Sequence, residues 1–325
     1  MDSFKKFKKI CKAKSVCLIV HIDPDADALS SMVILQDFLI NKFKIPYVDL
    51  FAEGDVSDNC LEILDGRQIN PAPKQKYDAA VILDCPNLDR TGIYGQLYLD
   101  SDIKINIDHH ATNNFSGCIR YFDVVSSTCE IVYQLLTYYK YKFSSAELGK
   151  IYAALLTDTD GFSVGAVNST TFKIASACAD VVKTEEIYKN FLKHNSLLNQ
   201  RLYATVVNNI KEYKEGFVVT YISPEQLVSL KANAYDCFGI SNQLNSIHES
   251  KLTCFISPKG KQWYVSLRAK KGYDVSIIAK AFGGGGHQGA AAYLSNKTLN
   301  QIIKEVAKEF KQQIKSITIA KEKLF

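Results

Sequence analysis

Apolar runs alternate with helical segments in the first half of the chain, a pattern that predicts β-α-β units around a parallel sheet. Strands are predicted at residues 16–21, 47–52, 78–84 and 103–108, and helices at 29–42, 128–140 and 146–157. A polar helical segment at 185–211 leads into a second pattern, with strands predicted at 217–222, 252–256, 263–267 and 290–294. Pro258-Lys259-Gly260 predicts a hairpin turn between the second and third of these strands.

The two patterns predict two domains of different class. A chain of 325 residues is long enough for two domains, each with its own hydrophobic core. We expect an α/β domain with a parallel sheet at residues 1–182, a helical linker at 183–212, and a smaller α+β domain with a mixed sheet at 213–325.

The composition is that of an ordinary globular protein, with 47% apolar and 22% charged residues. No stretch approaches the roughly 18 consecutive apolar residues of a membrane span, and the early run at 16–20 is too short for a secretory signal. We therefore expect a cytoplasmic protein that binds no membrane. The nine cysteines are scattered and never form a C-x-x-C pair, which favours reduced thiols over disulfides or a structural zinc site.

The net charge of +5, from 39 basic and 34 acidic side chains, is too small and too dispersed for a protein that tracks along duplex DNA. It is compatible with a short anionic substrate. One dense lysine cluster lies at residues 5–14, interleaved with Phe4, Phe7 and Ile10 at helical spacing. This spacing favours a solvated helix face with a docked apolar stripe over a nucleic-acid-binding arm.

Residues that commonly bind metals follow three of the four strands predicted for the first domain. The first strand ends at His21, the third at Asp84, and the fourth at Asp108-His109-His110. Because the carboxyl ends of parallel strands share one edge of a sheet, we expect these side chains to converge. Four more carboxylates are expected there, three in the loop after the first strand and one after the apolar stretch 151–156: Asp23, Asp25, Asp27 and Asp158.

Six aspartates at one edge would repel one another unless cations lie between them. Carboxylate and imidazole ligands without a thiolate favour manganese, with magnesium or cobalt as alternatives, over structural zinc. The candidate ligands are more numerous than one cation can use: His21, Asp25, Asp27, Asp84, His109 and Asp158. We therefore expect two divalent cations about 3.5–4 Å apart that share a bridging carboxylate, an arrangement suited to the hydrolysis of phosphate esters. His110 is the candidate to donate a hydrogen bond or a proton to a phosphoryl or leaving-group oxygen.

The same residues fall into a series of motifs that resembles the DHH phosphoesterase superfamily. The four successive motifs are His21-Ile22-Asp23-Pro24-Asp25-Ala26-Asp27, then Asp84 with Arg90, then Asp108-His109-His110, then Thr157-Asp158-Thr159-Asp160-Gly161-Phe162. Gly283-Gly284-Gly285-Gly286-His287 resembles the signature of the DHHA1 type of C-terminal domain. The resemblance implies a DHH domain followed by a DHHA1 domain, and it is closest to the branch of bifunctional oligoribonucleases (nanoRNases) and pAp phosphatases.

The resemblance also implies roles for individual residues. His21, Asp25 and Asp84 would hold one cation, while Asp27, Asp84, His109 and Asp158 would hold the other, so that Asp84 is the bridge. His110 would face the scissile phosphate and is, with Asp84, an expected catalytic residue. Three positions depart from the usual pattern, since Asp23 stands where Asn is common, and Ser30 and Asp160 stand where Gly is common.

The glycine run and Arg268 are the candidate substrate-binding residues of the second domain. The run also satisfies G-x-G-x-x-G, but it follows a predicted helix and precedes a short strand, which is not the context of a dinucleotide-binding fold. We expect a tight loop in which Gly284, Gly285, Gly286 and His287 approach a phosphate or a base. Arg268 ends a predicted strand, and its planar guanidinium matches phosphate oxygens.

The resemblance implies that Arg268 and His287 grip the distal end of the substrate. Arg90 is a further candidate for substrate binding, with a structural salt bridge as its alternative role.

These expectations combine into a two-metal phosphoesterase that hydrolyses RNA oligonucleotides of about two to five nucleotides to 5′-mononucleotides, and pAp to AMP and phosphate. One alternative is a phosphodiesterase for cyclic dinucleotides or pApA on the same fold, and another is a metal-nucleotide sensor without turnover. A RecJ-like exonuclease would need further domains, and a family II pyrophosphatase would lack the GGGGH signature. The sequence leaves the oligomeric state open, including a homodimer.

Overall fold

The computed structural model describes residues 4–163, 166–192, 196–237, 239–286 and 288–322. The chain divides into two compact units, Met1–His194 and Asn195–Phe325. The division falls within the segment that the sequence predicts as a helical linker.

A five-stranded parallel sheet forms the centre of the first unit. Its strands are β1 (Ser15–Ile19), β2 (Tyr47–Phe51), β3 (Ala79–Leu83), β4 (Ile103–Asp108) and β5 (Ile119–Phe122). Their order is β2-β1-β3-β4-β5, and every neighbouring pair is parallel. All residues of β1 and β3 are buried, as expected of a sheet covered on both faces. The predicted parallel-sheet α/β fold is confirmed, with β5 as an additional edge strand.

Helices pack on both faces of this sheet. They are α1 (Ala26–Asn41), α2 (Asp58–Leu64), α3 (Gly95–Asp100), α4 (Thr128–Tyr138), α5 (Ser145–Asp158), α6 (Ser169–Ala179) and α7 (Thr184–Leu192), with 3-10 helices at Phe4–Lys12 and Leu88–Tyr94. Alternate residues of β1 point to opposite faces, as strand geometry requires. Leu18 joins the core cluster that contains α1, α4 and α5, while Ile19 joins the smaller cluster that contains Tyr98 of α3.

The lysine-rich segment at the start of the described chain is a 3-10 helix with two distinct faces. Phe7 and Ile10 are fully buried, and the Phe7 ring lies 6.3 Å from that of Phe38 and 5.9 Å from that of Tyr121 between centroids. The five lysines of this helix, and Lys14 just after it, are exposed. The apolar stripe therefore docks on the core, as its spacing predicts.

A six-stranded mixed sheet forms the centre of the second unit. Its strands are β6 (Lys211–Tyr213), β7 (Phe217–Tyr221), β8 (Leu252–Lys259), β9 (Gln262–Ala269), β10 (Gly285–Gly286) and β11 (Ala290–Ser295), in the order β10-β11-β9-β8-β7-β6. Among the described strands of this second sheet, only the β7–β8 pair is parallel. The predicted hairpin joins β8 to β9, and Gly260 has the left-handed φ of +61° that its tight turn requires.

Two sets of helices cover the second sheet. They are α8 (Leu197–Asn208), α9 (Pro224–Leu230), α10 (Ile240–Leu244), α11 (Val275–Ala281) and α12 (Leu299–Glu322), with 3-10 helices at Lys214–Gly216 and Tyr235–Cys237. One core cluster joins the sheet to α11 and α12, and another joins it to α8, α9 and α10. The predicted mixed-sheet domain is confirmed. None of the helices that the structure describes has the length and apolar character needed to cross a membrane.

Candidate active site

The carboxyl edge of the first sheet gathers the residues that follow its central strands. His21 lies two residues after β1, Asp84 follows β3 directly, and Asp108 is the last residue of β4. These three strands are neighbours in the order β1-β3-β4 and run parallel, so their ends meet at one place.

Asp84 leaves its strand through a left-handed turn. Its φ is +55°, a region that aspartate tolerates better than most residues, and its N–H donates to the Ile107 carbonyl over 2.9 Å. The turn holds the Asp84 carboxylate at the sheet edge, where the side chain is only 3% exposed. Backbone in a sparsely populated conformation is frequent at functional sites.

Short distances join Asp84 to histidines from two different strand ends. His21 Nε2 lies 3.5 Å from Asp84 Oδ2 and 3.8 Å from Asp25 Oδ1. His109 Nε2 lies 3.6 Å from Asp84 Oδ1 and 3.3 Å from Asp158 Oδ2. The two oxygens of one carboxylate thus face two separate imidazoles.

These side chains form three overlapping groups. Within each group, the atoms that could bind a metal lie within 4.8 Å of one another. The groups are His21 with Asp25 and Asp84, Asp27 with His109 and Asp158, and Asp84 with His109 and His110. All six residues that the sequence nominates as ligands are therefore brought together, from β1, β3, β4 and the two helices α1 and α5. Their role as ligands stays a prediction.

The hydrogen bonds of the histidines identify the nitrogen that faces the site. His21 Nδ1 lies 2.9 Å from the Ile22 carbonyl oxygen, and His109 Nδ1 lies 3.1 Å from that of Val125. Because a carbonyl oxygen can only accept, Nδ1 carries the proton in each case and leaves Nε2 free to bind a cation. This pattern is typical of metal-binding histidines.

His110 differs from the other two histidines in the partner of its Nδ1 atom. That atom lies 2.8 Å from Asp108 Oδ1, a carboxylate oxygen rather than a backbone carbonyl. Asp108 is fully buried, and its other oxygen accepts a hydrogen bond from Asn113 Nδ2 over 2.6 Å. Burial lowers the pKa of His110, but the contact with Asp108 and the charge of Asp84 outweigh burial and raise it to about 9.

Asp25 and Asp27 are placed by the beginnings of two helices. Asp25 caps α1, since its Oδ1 accepts the N–H groups of Asp27 and Ala28 over 3.0 Å each. Asp27 lies inside α1, and its carboxylate accepts the N–H groups of Thr128 and Cys129, the first two residues of α4, over 2.7 and 2.9 Å. The positive end of the α4 dipole therefore faces the buried Asp27 carboxylate.

Asp158 is the last residue of α5 and reaches the site from a helix end. Burial, together with the negative charges of Asp84 and Asp25, raises the pKa of Asp158 to about 8. Burial and the charges of Asp84 and Asp158 likewise raise the pKa of Asp27 well above its ordinary value. Protons therefore occupy part of this cluster when no cation is bound.

The pKa values of the neighbouring His21 and Asp84 side chains are shifted in opposite directions. Burial lowers the pKa of His21, but hydrogen bonding to Asp25 and Asp84 outweighs burial and raises the pKa to about 11. Burial raises the pKa of Asp84, but the contact with His21 and the charges of all three histidines bring the pKa below its ordinary value.

Divalent cations fit this donor set. Four carboxylates meet there, and across the described residues no lysine or arginine forms an ion pair with any of them. Carboxylate oxygens with imidazole nitrogens are ligands that manganese and magnesium accept. The edge of the first sheet thus holds candidate metal-binding clusters.

Arg90 lies outside these clusters. It is exposed in the 3-10 helix Leu88–Tyr94, and its backbone carbonyl accepts the N–H of Ile22 over 2.9 Å. In the part of the chain that the structure describes, the Arg90 side chain makes no salt bridge. The alternative role of Arg90 in a structural salt bridge therefore has no support among these residues.

Arg268, near the end of β9, is half-buried without a carboxylate partner among the described residues. Its Nε donates to Asn242 Oδ1 over 2.9 Å, and one terminal nitrogen donates to the Ser266 hydroxyl over 3.2 Å and the Leu267 carbonyl over 3.0 Å. We call Arg268, Asn242 and Ser266 the Arg268 site. Burial lowers the pKa of Arg268, although a guanidinium stays charged at neutral pH.

The glycine run is not wholly the loop that the sequence predicts. Gly285 and Gly286 form β10 and pair with β11, and the N–H of Gly284 donates to the Ala279 carbonyl over 2.8 Å. A Cβ at Gly284 would lie 2.2 Å from the Ala292 carbonyl oxygen, which explains why glycine is required. The predicted contribution of His287 lies outside the described residues.

The departures from the family pattern have backbone explanations. Asp23 and Asp160 have φ values of +54° and +46°, a region in which Asn, Asp and Gly are all favoured over other residues. Asp23 Oδ1 accepts the N–H of Asp55 over 3.1 Å. Ser30, the third departure, is fully buried within α1, inside the helix that the sequence predicts at 29–42.

Three polar residues around the site, one half-buried and two fully buried, were not identified from the sequence. Asn113 binds Asp108, the Thr128 hydroxyl donates to Asp84 over 2.9 Å, and Glu130 accepts a hydrogen bond from Thr171 over 2.8 Å. The run Ser126-Ser127-Thr128 with Glu130 is a helix-start pattern that would have placed the beginning of α4, but not its neighbours.

Family models match both units of the chain. The DHH family, N-terminal domain, matches residues 15–157, and the DHHA1 domain matches residues 214–317. The chain therefore contains a DHH family N-terminal domain and, in its second half, a DHHA1 domain, and it is a hydrolase of phosphoester bonds. DHH phosphoesterases use divalent metals, in agreement with the donor set described above.

Named relatives confirm the branch that the motifs predict. The probable bifunctional oligoribonuclease and PAP phosphatase NrnA of Streptococcus mutans is 26% identical over an alignment that covers 95% of this chain and 100% of that protein. The bifunctional oligoribonuclease and PAP phosphatase NrnA of Bacillus subtilis is 24% identical over an alignment that covers 86% of this chain and 90% of that protein.

A solved structure shares the fold. The crystal structure of an exopolyphosphatase-related protein from Bacteroides fragilis matches with a TM-score of 0.87 over 97% of this chain and 96% of that one, at 23% sequence identity. At this identity the match establishes the fold alone.

Proposed function

We propose that this protein is a two-cation phosphoesterase that hydrolyses RNA oligonucleotides of about two to five nucleotides to 5′-mononucleotides, and pAp to AMP and phosphate. The observation that carries the proposal is the position of Asp84, one of whose carboxylate oxygens lies 3.5 Å from His21 Nε2 and the other 3.6 Å from His109 Nε2. A bridging ligand between two cations needs such a geometry.

The ligand sets follow from the groups around Asp84. His21, Asp25 and Asp84 would hold one cation, and Asp27, His109 and Asp158, together with Asp84, would hold the other. Oxygen-rich sets with one imidazole each favour manganese, with magnesium and cobalt as alternatives. When bound, the two cations supply Lewis-acid stabilisation of the phosphoryl oxygens and activation of the attacking water.

His110 is the proposed group that contacts the substrate directly. Because Asp108 holds Nδ1, the Nε2 atom is left to donate to a phosphoryl or leaving-group oxygen. The raised pKa of His110 keeps its ring protonated at neutral pH in the metal-free protein, which suits a donor. Asn113 holds Asp108 from the other side and so limits rotation of its carboxylate.

Arg268 is the proposed anchor for a substrate phosphate away from the scissile bond. It is a half-buried cation whose contacts within the described chain are all neutral, so an anionic ligand would be its first counter-charge. The proposed partners of Arg268 in this role are the glycine run and His287, as the family resemblance implies. Arg90 remains a proposed substrate contact of the first unit.

The choice of substrates is supported by the relatives named above, whose names state oligoribonuclease and PAP phosphatase activities. A substrate panel tests it. The protein would be incubated with manganese and, separately, 5′-labelled RNA of two to ten nucleotides, pAp, pApA, cyclic di-AMP and pyrophosphate. Asp84→Asn serves as the inactive control, and Asp78→Asn, at the opposite end of the same strand, serves as the matched active control.

We expect the fastest hydrolysis for RNA of about two to five nucleotides, with pAp also converted to AMP and phosphate. Faster turnover of cyclic di-AMP or pApA than of any RNA would favour the phosphodiesterase alternative. Hydrolysis of pyrophosphate alone would contradict the proposal, and binding without turnover of any member of the panel would identify a sensor.

A further inference from the structure

The beginning of α4 contacts two of the buried carboxylates of the candidate active site at once. The Thr128 hydroxyl donates to Asp84 Oδ1 over 2.9 Å, and the Thr128 N–H donates to Asp27 Oδ2 over 2.7 Å. The two aspartates come from different parts of the chain and belong to different ligand groups. Thr128 is therefore a single residue that binds one carboxylate from each.

All three residues of this contact are removed from water. Thr128 is fully buried, Asp27 is 1% exposed and Asp84 is 3% exposed. A buried carboxylate without hydrogen-bond donors is unfavourable, and its orientation is undefined. The two donors of Thr128 therefore restrict the rotation of both carboxylates.

The backbone that carries Thr128 is itself held in place. Glu130, two residues on, is fully buried and accepts hydrogen bonds from the hydroxyls of Ser126 and of Thr171 in α6, the latter over 2.8 Å. The Ser127 hydroxyl accepts the N–H of Glu130 over 3.1 Å and caps the helix. These hydrogen bonds hold the first turn of α4, and with it Thr128, in a defined position.

We propose that Thr128 is a positioning residue for divalent cations, acting through Asp84 and Asp27 rather than on the substrate. This inference rests on the proposed function, because it assumes that Asp84 is the shared ligand. The hydroxyl holds Asp84 in the rotation that directs one oxygen toward His21 and the other toward His109. Such contacts behind the ligands fix ligand geometry and raise cation affinity.

The test replaces Thr128 by Val, which keeps the shape of the side chain and removes the hydroxyl, and by Ser, which keeps the hydroxyl. Manganese binding to the metal-free full-length protein is measured by isothermal titration calorimetry. We expect Thr128→Val to weaken binding by about 10- to 100-fold and Thr128→Ser by less than about threefold. The kcat of Thr128→Val should return toward that of the wild type at saturating manganese, which a structural defect would not allow.

Two further variants keep the proposal falsifiable. Thr128→Ala lacks the hydroxyl and, like Ser, the methyl group, so the Ala and Ser variants isolate the hydroxyl if Val does not fold. Thr220→Val, in β7, removes a buried hydroxyl that donates to the Val206 carbonyl, and it should leave manganese affinity unchanged.

Unchanged manganese affinity in Thr128→Val, or equal losses in the Ala and Ser variants, would overturn the assignment of Thr128 while the wild-type enzyme remains active. Absence of manganese binding by the wild type would instead overturn the proposed function, and the role of Thr128 with it.

Discussion

The candidate active site of the first unit gathers acidic side chains, whereas the Arg268 site of the second unit centres on a single basic one. At the first, four carboxylates and two imidazoles meet without a lysine or arginine ion pair among the described residues. At the second, a half-buried guanidinium contacts only neutral groups. Buried charge without a protein partner is unfavourable, so each site is best explained by an external ligand of opposite charge.

Elsewhere in the described chain, several charged side chains pair with one another. Arg67 binds Asp37 over 2.8 Å, and Lys76 binds Asp102 over 2.6 Å. Exposed charges without an ion pair in the described chain, such as Arg90, are solvated, whereas Asp27, Asp84 and Arg268 are wholly or partly removed from water. This difference agrees with the proposed ligands, cations for the first unit and a phosphate for the second.

The largest expected effect comes from removing the shared carboxylate. Asp84→Asn should lower kcat/KM by about 10³-fold or more, because it disrupts both proposed cation sites and the several kcal/mol of transition-state stabilisation that they supply. Asp78→Asn removes a carboxylate at the other end of the same strand and should stay within about threefold of the wild type. Steady-state kinetics with an RNA dinucleotide and manganese give kcat/KM for both variants. Equal values for the two variants would contradict the role of Asp84 as the shared ligand.

The next largest effect is expected at His110, which is proposed to contact the substrate, whereas His21 and His109 are proposed to bind cations. His110→Gln should lower kcat by about 10²-fold, in the range of a lost proton or hydrogen-bond donor, while manganese affinity by calorimetry stays near that of the wild type. His248→Gln changes an exposed histidine of the second unit and should alter neither quantity. A large loss of manganese affinity in His110→Gln would place that ring among the ligands instead.

A smaller effect is expected at the Arg268 site. Arg268→Ala should raise KM for pAp by about 10- to 100-fold with a lesser change in kcat, because charge-assisted hydrogen bonds to phosphate contribute binding. Arg268→Lys should fall between this variant and the wild type, since it keeps the charge but not the planar pair of donors. An effect confined to kcat would show that Arg268 does not anchor the substrate.

The smallest effect concerns pH. In the metal-free protein the pKa values of His21 and Asp158 are raised to about 11 and about 8, so both hold protons at neutral pH. Cations must displace these protons, and the competition weakens as the pH rises toward 8. Manganese affinity should therefore increase by about tenfold between about pH 6.5 and 7.5, with net proton release seen by calorimetry in two buffers. Affinity that falls over this window would contradict the raised pKa values.

The sequence was sufficient to predict the parts of the site that follow directly from strand ends. His21, Asp84 and His109 come after strands that apolar runs reveal, and parallel topology alone brings such ends together. Short, partly exposed elements were harder to predict. β5 has only four residues and one buried position, so neither an apolar run nor a clear alternation marks it.

Contacts that depend on helix placement could not be predicted. The Thr128 N–H meets Asp27 across 101 residues of sequence, and nothing in the pattern around α4 indicates where its first turn points. The glycine run was interpreted as a tight loop open to a ligand, whereas close approach to β11 governs Gly284 and Gly286. How closely one strand approaches another depends on the tertiary structure, and the local sequence does not encode it.

Anomalous diffraction from a crystal grown with manganese tests whether Asp84 bridges two cations. We expect two manganese peaks about 3.5–4 Å apart at the carboxyl edge of the first sheet, with Asp84 bound to both and His21 and His109 bound to one each. A single peak, or two peaks without Asp84 between them, would contradict this role of Asp84.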